Sequence, residues 1–310
     1  MGKHRLPGQP RRVPGPYRHG LDRHAPAQPA ARAGRRMSAP QPVRERWFAV
    51  MPGRAGDAAH AEAARVRLYC LPYAGAGHTA YHGWRDVLPA QVELAPVCLP
   101  GRGLRTDEAH AASIEELATA LAAAIVRAAR TGAPRFALFG HSMGALLGFE
   151  TARVLETVHG LSPTALVVSG RGAPALPSAR PPFSTLPDGA FADVIAAMGG
   201  MPAEIRETPE ALAFFLPVLR ADIALCERWR YRAGPRLGCP ITVLGGQDDV
   251  HAPPAMLAAW RDETLHDCRQ QVFAGGHFFL HEAAPAVLDA VAQAVLGTAA
   301  PSGEAGHALA

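Results

Sequence analysis

Ser142 stands between two glycines in Gly140-His141-Ser142-Met143-Gly144, with the apolar run Phe136-Ala137-Leu138-Phe139 before it and Ala145-Leu146-Leu147 after it. A strand that turns sharply into a helix at Gly-x-Ser-x-Gly is a nucleophile elbow. It exposes the serine Oγ and aims the first amides of the new helix at an incoming oxyanion. A glycine-rich turn carrying an incidental serine is the plain alternative. A serine hydroxyl is a poor nucleophile, so the chemistry needs a histidine base and a carboxylate that orients it.

Candidates for both lie downstream in the order that elbows of this type use, Ser, then Asp or Glu, then His. Asp248 and Asp249 follow Val243-Leu244-Gly245-Gly246-Gln247, and His277 follows Phe273-Ala274-Gly275-Gly276. The four-residue turn Gly245-Gly246-Gln247-Asp248 favours Asp248 as the orienting acid, with Asp249 left to cap the next segment or face solvent. His141 is a rival base, but as the serine's neighbour it is expected to point away from Oγ and pack behind the elbow. An oxyanion hole needs two donors. The amide of Met143 is one, and the amide of Ala74, in the small-residue loop Leu71-Pro72-Tyr73-Ala74-Gly75-Ala76-Gly77, is the expected second. His277 and His281 are four apart, but without a third ligand or an intervening zincin-type Glu no metal site is expected.

The elements that must hold these residues alternate strand and helix. Strands are predicted at 65–70, 92–99, 164–169, 239–244 and 270–273, besides the one before the elbow. Helices are predicted at 81–88, 113–130, 145–159, 255–260 and 282–295. Ser113, followed three residues later by Glu116, has the pattern of a capping box, and Gly160 suits a helix C-cap. Short connections in this rhythm predict an α/β fold with a mostly parallel central sheet and helices on both faces. The rhythm breaks between about 171 and 238. Helical patches there, at 191–198, 210–216 and 218–229 with a kink at Pro217, predict a helical lid over about 183–231.

Charge divides the chain. Residues 1–36 carry nine basic residues against Asp22, a local +8 that, taken from the total of +4, leaves the remainder at −4. An acidic body argues against a nucleic-acid groove. The first 36 residues also hold six prolines and no periodicity, so residues 1–40 are expected to be a disordered basic extension. Met37 is the expected true start. Residues 41–296 form the predicted catalytic domain and 297–310 a flexible tail. The five cysteines lack metal spacing and read as buried thiols of a reducing cytosol. No run approaches the ~20 apolar residues that span a bilayer, so a cytoplasmic protein is expected.

Over residues 65–296 the chain resembles the type II thioesterases of nonribosomal-peptide and polyketide assembly lines, which are α/β-hydrolases. The resemblance rests on Leu71-Pro72-Tyr73-Ala74-Gly75-Ala76-Gly77, Leu99-Pro100-Gly101-Arg102, the elbow, Val168-Ser169-Gly170-Arg171, Leu216-Pro217-Val218-Leu219-Arg220-Ala221-Asp222 and Gly276-His277-Phe278-Phe279-Leu280. It implies Ser142 as nucleophile, the Asp248 position as acid, His277 as base, and Ala74 and Met143 as oxyanion donors. It also implies a free-standing editing enzyme that removes aberrant acyl, aminoacyl or short-chain groups from the phosphopantetheine arm of acyl and peptidyl carrier domains. No cofactor is implied, since the substrate carries the phosphopantetheine, and a monomer is expected. Two other activities fit the same residues: a small-molecule carboxylesterase or lipase, and a non-catalytic carrier-binding protein.

Overall fold

The central predicted strands are near-continuous apolar runs, so both of their faces need cover. The computed structural model describes residues 46–49, 66–130, 135–178, 181–201 and 203–297, all within one compact unit spanning 44–310. The expected extension over 1–40, the proposed start at Met37 and the tail beyond Gly297 lie outside those residues.

Six strands, β1 (Val66–Leu71), β2 (Val92–Pro96), β3 (Arg135–His141), β4 (Leu166–Ser169), β5 (Ile241–Gly246) and β6 (Cys268–Phe273), form one sheet in the order β2-β1-β3-β4-β5-β6. Every pairing within it is parallel. A parallel sheet needs helical crossovers, which cover both faces, and the strand residues sort accordingly. Tyr69, Leu71, Phe136, Leu138, Leu166, Val168, Ile241 and Val243 pack on one face. Their neighbours Leu68, Cys70, Ala137, Phe139, Val167 and Leu244 pack on the other.

The first face is covered by α1 (Ile114–Arg130) and α2 (Met143–His159), which contribute Leu117, Leu121, Ile125, Leu146, Leu147 and Phe149. Ser113 Oγ accepts from the Glu116 amide at 3.0 Å, while the Glu116 carboxylate reaches back one residue further than expected, to the Ala112 amide at 2.7 Å. α2 ends at Gly160, whose φ of 62° closes it in the left-handed region. The second face is covered by the 3-10 segment His78–Asp86, through Tyr81 and Trp84, and by α8 (Ala284–Leu296), through Val287, Val291 and Val295.

Between β4 and β5 lie α3 (Asp188–Ala197), α4 (Ala203–Arg206) and α5 (Pro209–Arg228), followed beyond β5 by α6 (Pro254–Ala258) and, beyond β6, by α7 (Phe279–Glu282). The helical patches expected on either side of Pro217 form one helix, and α5 runs through the proline. Pro217 and Ala213 are both exposed, so the carbonyl that loses its partner can be met by water. On the opposite side Leu216, Leu219, Asp222 and Leu225 are buried, and that packing outweighs the local penalty. Leu216 and Leu219 join Phe183, Phe191, Ala192, Ile195 and Met201 in a separate small core, with Ala74 packed against it. The insertion therefore carries a small apolar core of its own and packs on the loop after β1.

Candidate active site

β3 delivers its last residues into a turn so tight that Ser142, at φ 53° and ψ −109°, is the only non-glycine with positive φ among the described residues. Such strain persists only where the surroundings over-determine it. Here a Cβ on Gly140 would overlap the Gly144 carbonyl, and one on Gly144 would overlap the Leu71 carbonyl, so only glycine lets the strand end, the helix start and β1 close up. The Ser142 amide donates to the Ser169 carbonyl at 2.8 Å, and its own carbonyl accepts from Ala145 and Leu146. The backbone is thus held on both sides while the half-exposed side chain projects outward.

The acid expected at Asp248 is displaced by one residue. His277 Nδ1 donates to Asp249 Oδ2 at 2.8 Å, whereas the Asp248 side chain is exposed and its amide bonds the Gly275 carbonyl at 3.0 Å. The cause is that β5 reaches Gly246, and the Gln247 amide still bonds the Phe273 carbonyl at 2.8 Å, prolonging the ladder beyond the assumed turn. Gly246 also lies flush against the Gly275 and Gly276 carbonyls, which brings the strand end up to the loop that carries His277. Asp249 is 2% exposed and His277 6% exposed. Asp249 Oδ1 accepts from the amides of His251 and Ala252 at 2.9 and 3.2 Å. Burial pushes the Asp249 carboxyl up, but the His277 hydrogen bond and charge, with the two amides, more than offset it and hold the group below its usual range. A carboxylate so fixed selects the Nδ1–H tautomer of His277, leaving Nε2 as the proton acceptor.

His141 lies behind the elbow. Its Nδ1 is 2.9 Å from Ser169 Oγ, and its ring centroid is 4.9 Å from that of His277. Burial, then the neighbouring His277 and His281, hold its pKa well below the ordinary histidine value, so it is neutral and adds no charge beside the base. Among the described residues, no group of three or more His, Cys, Asp or Glu side chains is placed to hold a metal ion.

Ser142 and His277 open on one cavity of about 570 Å³, which Ala74 and Met143 also line. Its far walls are Pro174, Pro177, Pro181, Pro182 and Phe183, with Glu227, Trp229 and Tyr231 at the end of α5. The Glu227 carboxylate fixes this wall by accepting from the Phe183 amide at 2.6 Å, the Ser184 amide at 3.1 Å and the Ser184 hydroxyl. Sequence reasoning ranked Asp249 second to Asp248 and missed Glu227. Asp249 was visible as the next residue along, whereas Glu227 has no local signal, since its partners lie more than 40 positions away. Taken together, the arrangement can attack a carbonyl, hold the resulting oxyanion and protonate a leaving group.

A thioesterase domain family model matches residues 66–295. The chain is similar to the gramicidin S biosynthesis protein GrsT of Aneurinibacillus migulanus, with 36% identity over 220 residues that cover 71% of this chain and 85% of that one. Among solved structures it is similar to RedJ, the thioesterase of the prodiginine pathway of Streptomyces coelicolor, at 38% identity and a TM-score of 0.70, covering 82% of this chain and 96% of that one. It is likewise similar to the type II thioesterase BorB from the borrelidin biosynthetic cluster, at 34% identity and a TM-score of 0.70, covering 81% and 98%. No helix among the described residues is long and apolar enough to cross a membrane.

Proposed function

The chain belongs to the thioesterase family, as a type II editing thioesterase of nonribosomal-peptide and polyketide synthesis, and on that premise we propose that Ser142, His277 and Asp249 carry its hydrolysis of carrier-bound acyl and aminoacyl thioesters. Ser142 Oγ attacks the thioester carbonyl as His277 Nε2 takes its proton. The amides of Met143 and Ala74 receive the charge that develops on the carbonyl oxygen. The C–S bond breaks, His277 returns the proton to the departing phosphopantetheine sulfur, and the acyl group remains as an ester on Ser142. Water, deprotonated by His277, then attacks that ester, releasing the free acid and restoring the serine. Asp249 keeps the imidazole in the tautomer that both halves require. A thiolate leaves readily, so the demand on the general acid is smaller than for an amide.

The observation that carries this reading is the shared cavity, where the strained serine, the carboxylate-held histidine and the loop residue Ala74 meet. Its proline and phenylalanine walls suit small, largely apolar acyl groups. The cap over about 183–231 is the part that narrows the site and meets the carrier domain, and the enzyme acts as a monomer. The test compares hydrolysis of a short acyl group from carrier-bound phosphopantetheine with hydrolysis of the matched oxygen ester. Faster release of the thioester supports the reading. A clear preference for the ester would replace it with a small-molecule carboxylesterase.

A further inference from the structure

Asp222 lies two-thirds of the way along α5 and is 1% exposed, a buried acidic side chain that serves as neither base nor nucleophile. Its partners come from two distant segments. Arg102, in the loop after β2, forms a bidentate pair with it, Nη2 lying 2.6 Å from Oδ1 and Nη1 closing on Oδ2. The Gly75 amide donates to the same Oδ2 at 2.8 Å. Arg102 Nη1 also reaches the Ala76 carbonyl at 3.3 Å. The carboxylate and guanidinium together therefore grip the loop at the residues immediately following Ala74.

The other side of Ala74 is held as well. Tyr73 sets its ring edge-on against Tyr81, His141 and Phe278, with centroids 6.5, 5.8 and 5.1 Å away, and its carbonyl accepts from Ala76 at 3.0 Å. Gly75, at φ 78°, sits flush on α5, where a Cβ would come within 3.0 Å of both Leu219 and Phe215. The Ala74 amide is thus suspended between an aromatic clamp behind and a carboxylate clamp ahead. Stability alone does not call for such a pair, because apolar side chains of similar volume replace a buried ion pair at little or no cost. What apolar side chains cannot do is accept the Gly75 N–H.

We propose that Asp222, neutralised by Arg102, is the positioning residue for the Ala74 arm of the oxyanion hole, so that the cap helix α5 and the acyl-transfer site assemble as one unit. The inference rests on the roles given above to Ser142 and Ala74. A cap displaced far enough to withdraw Asp222 also releases the Ala74 amide, so hydrolysis proceeds only under a seated cap.

Two variants separate positioning from support. Arg102→Met combined with Asp222→Leu removes the acceptor but fills the space, whereas Asp222→Asn keeps an acceptor for Gly75 and strands the guanidinium. The readouts are Tm, kcat and KM on an acyl-pantetheine thioester, and affinity for two matched analogues. One is a trifluoromethyl ketone, which adds Ser142 and forms an oxyanion; the other is an unreactive thioether. For the double variant we expect a Tm above that of Asp222→Asn, lowered from the parent only by the unpaired Gly75 N–H. Its kcat should fall about 100- to 1000-fold, the effect of losing one oxyanion donor, with KM changed less than about threefold. Ketone affinity should fall with kcat while thioether affinity holds. Asp222→Asn should be the less stable of the two and the more active. Activity that simply follows Tm across the variants, or ketone and thioether affinities that fall together, would overturn the proposal. If the double variant does not fold, the ratio of ketone to thioether affinity in Asp222→Asn decides, an unchanged ratio at reduced kcat counting against it. Ser142→Ala separates this from failure of the catalytic reading: retained turnover there sinks the nucleophile itself, whereas an inactive Ser142→Ala with parental ketone affinity in the double variant sinks only the positioning role.

Discussion

Substituting Asp249 by Asn is the perturbation that most sharply separates the two adjacent aspartates. In the parent, Oδ1 accepts from two backbone amides while Oδ2 accepts from His277 Nδ1 at 2.8 Å. In Asp249→Asn the carbonyl oxygen of the new amide stays with the His251 and Ala252 amides, because an NH2 group cannot accept from them. Its NH2 then faces His277 Nδ1, which must become the acceptor, and the ring proton moves to Nε2. A histidine in that tautomer cannot take the proton of Ser142. The matching tautomer error in a serine protease costs about ten thousand-fold in kcat, which corresponds to about 5.4 kcal/mol of transition-state stabilisation. The substitution is nearly isosteric, so Tm should move by only a few degrees. Asp248→Asn, on an exposed side chain bonded only through its amide, should stay within about twofold of the parent. Steady-state hydrolysis of an acyl-pantetheine thioester at pH 7.5 gives both numbers. If Asp248→Asn loses activity while Asp249→Asn keeps it, the assignment of the acid is wrong.

Three further outcomes follow from the same geometry. Gly144→Ala drives a methyl into the Leu71 carbonyl and should destabilise the fold by about 1–3 kcal/mol, with loss of turnover, as measured by urea denaturation and activity together. Glu227→Ala leaves the Phe183 and Ser184 amides without their carboxylate; unfolding should shift by about 1.5–3 kcal/mol, and KM should rise more than kcat falls because only the cavity wall is affected. His141 is held neutral in the fold by burial, so below the ordinary histidine value of 6.5 the unfolded chain binds a proton that the folded chain refuses. Stability should then fall as pH falls, by up to about 1.4 kcal/mol per unit for that one group. Denaturation midpoints at pH 7.5, 6.5 and 5.5 should show a shallower dependence in His141→Gln, and an unchanged slope would count against it.

Much of the site was legible because its signals are local. The elbow is written in five consecutive residues, and the adjoining strand β1 shows its two-faced burial directly in the unbroken apolar run Leu68, Tyr69, Cys70 and Leu71. His277 was placed by its position after a strand. What escaped sequence reasoning depends on partners far along the chain. Asp249 rather than Asp248 meets His277 because the Phe273 carbonyl, on the next strand, extends the ladder to Gln247. α5 continues through Pro217 because its buried side packs on the cap core and the loop of Ala74, neither of which local propensity registers. Asp222 was visible only as part of a family-like motif, and its use emerges from contacts 120 residues away at Arg102 and 147 residues away at Gly75.

The central claim, acyl transfer through Ser142, is tested most directly by intact-protein mass spectrometry after rapid mixing with an acylated carrier domain, followed by peptide mapping. A transient adduct equal in mass to the acyl group is expected on the peptide containing Ser142. The adduct should decay at the rate at which free acid appears, and both adduct and turnover should be absent in Ser142→Ala. Turnover by Ser142→Ala at the parent rate, or an adduct that maps to another residue, would contradict it.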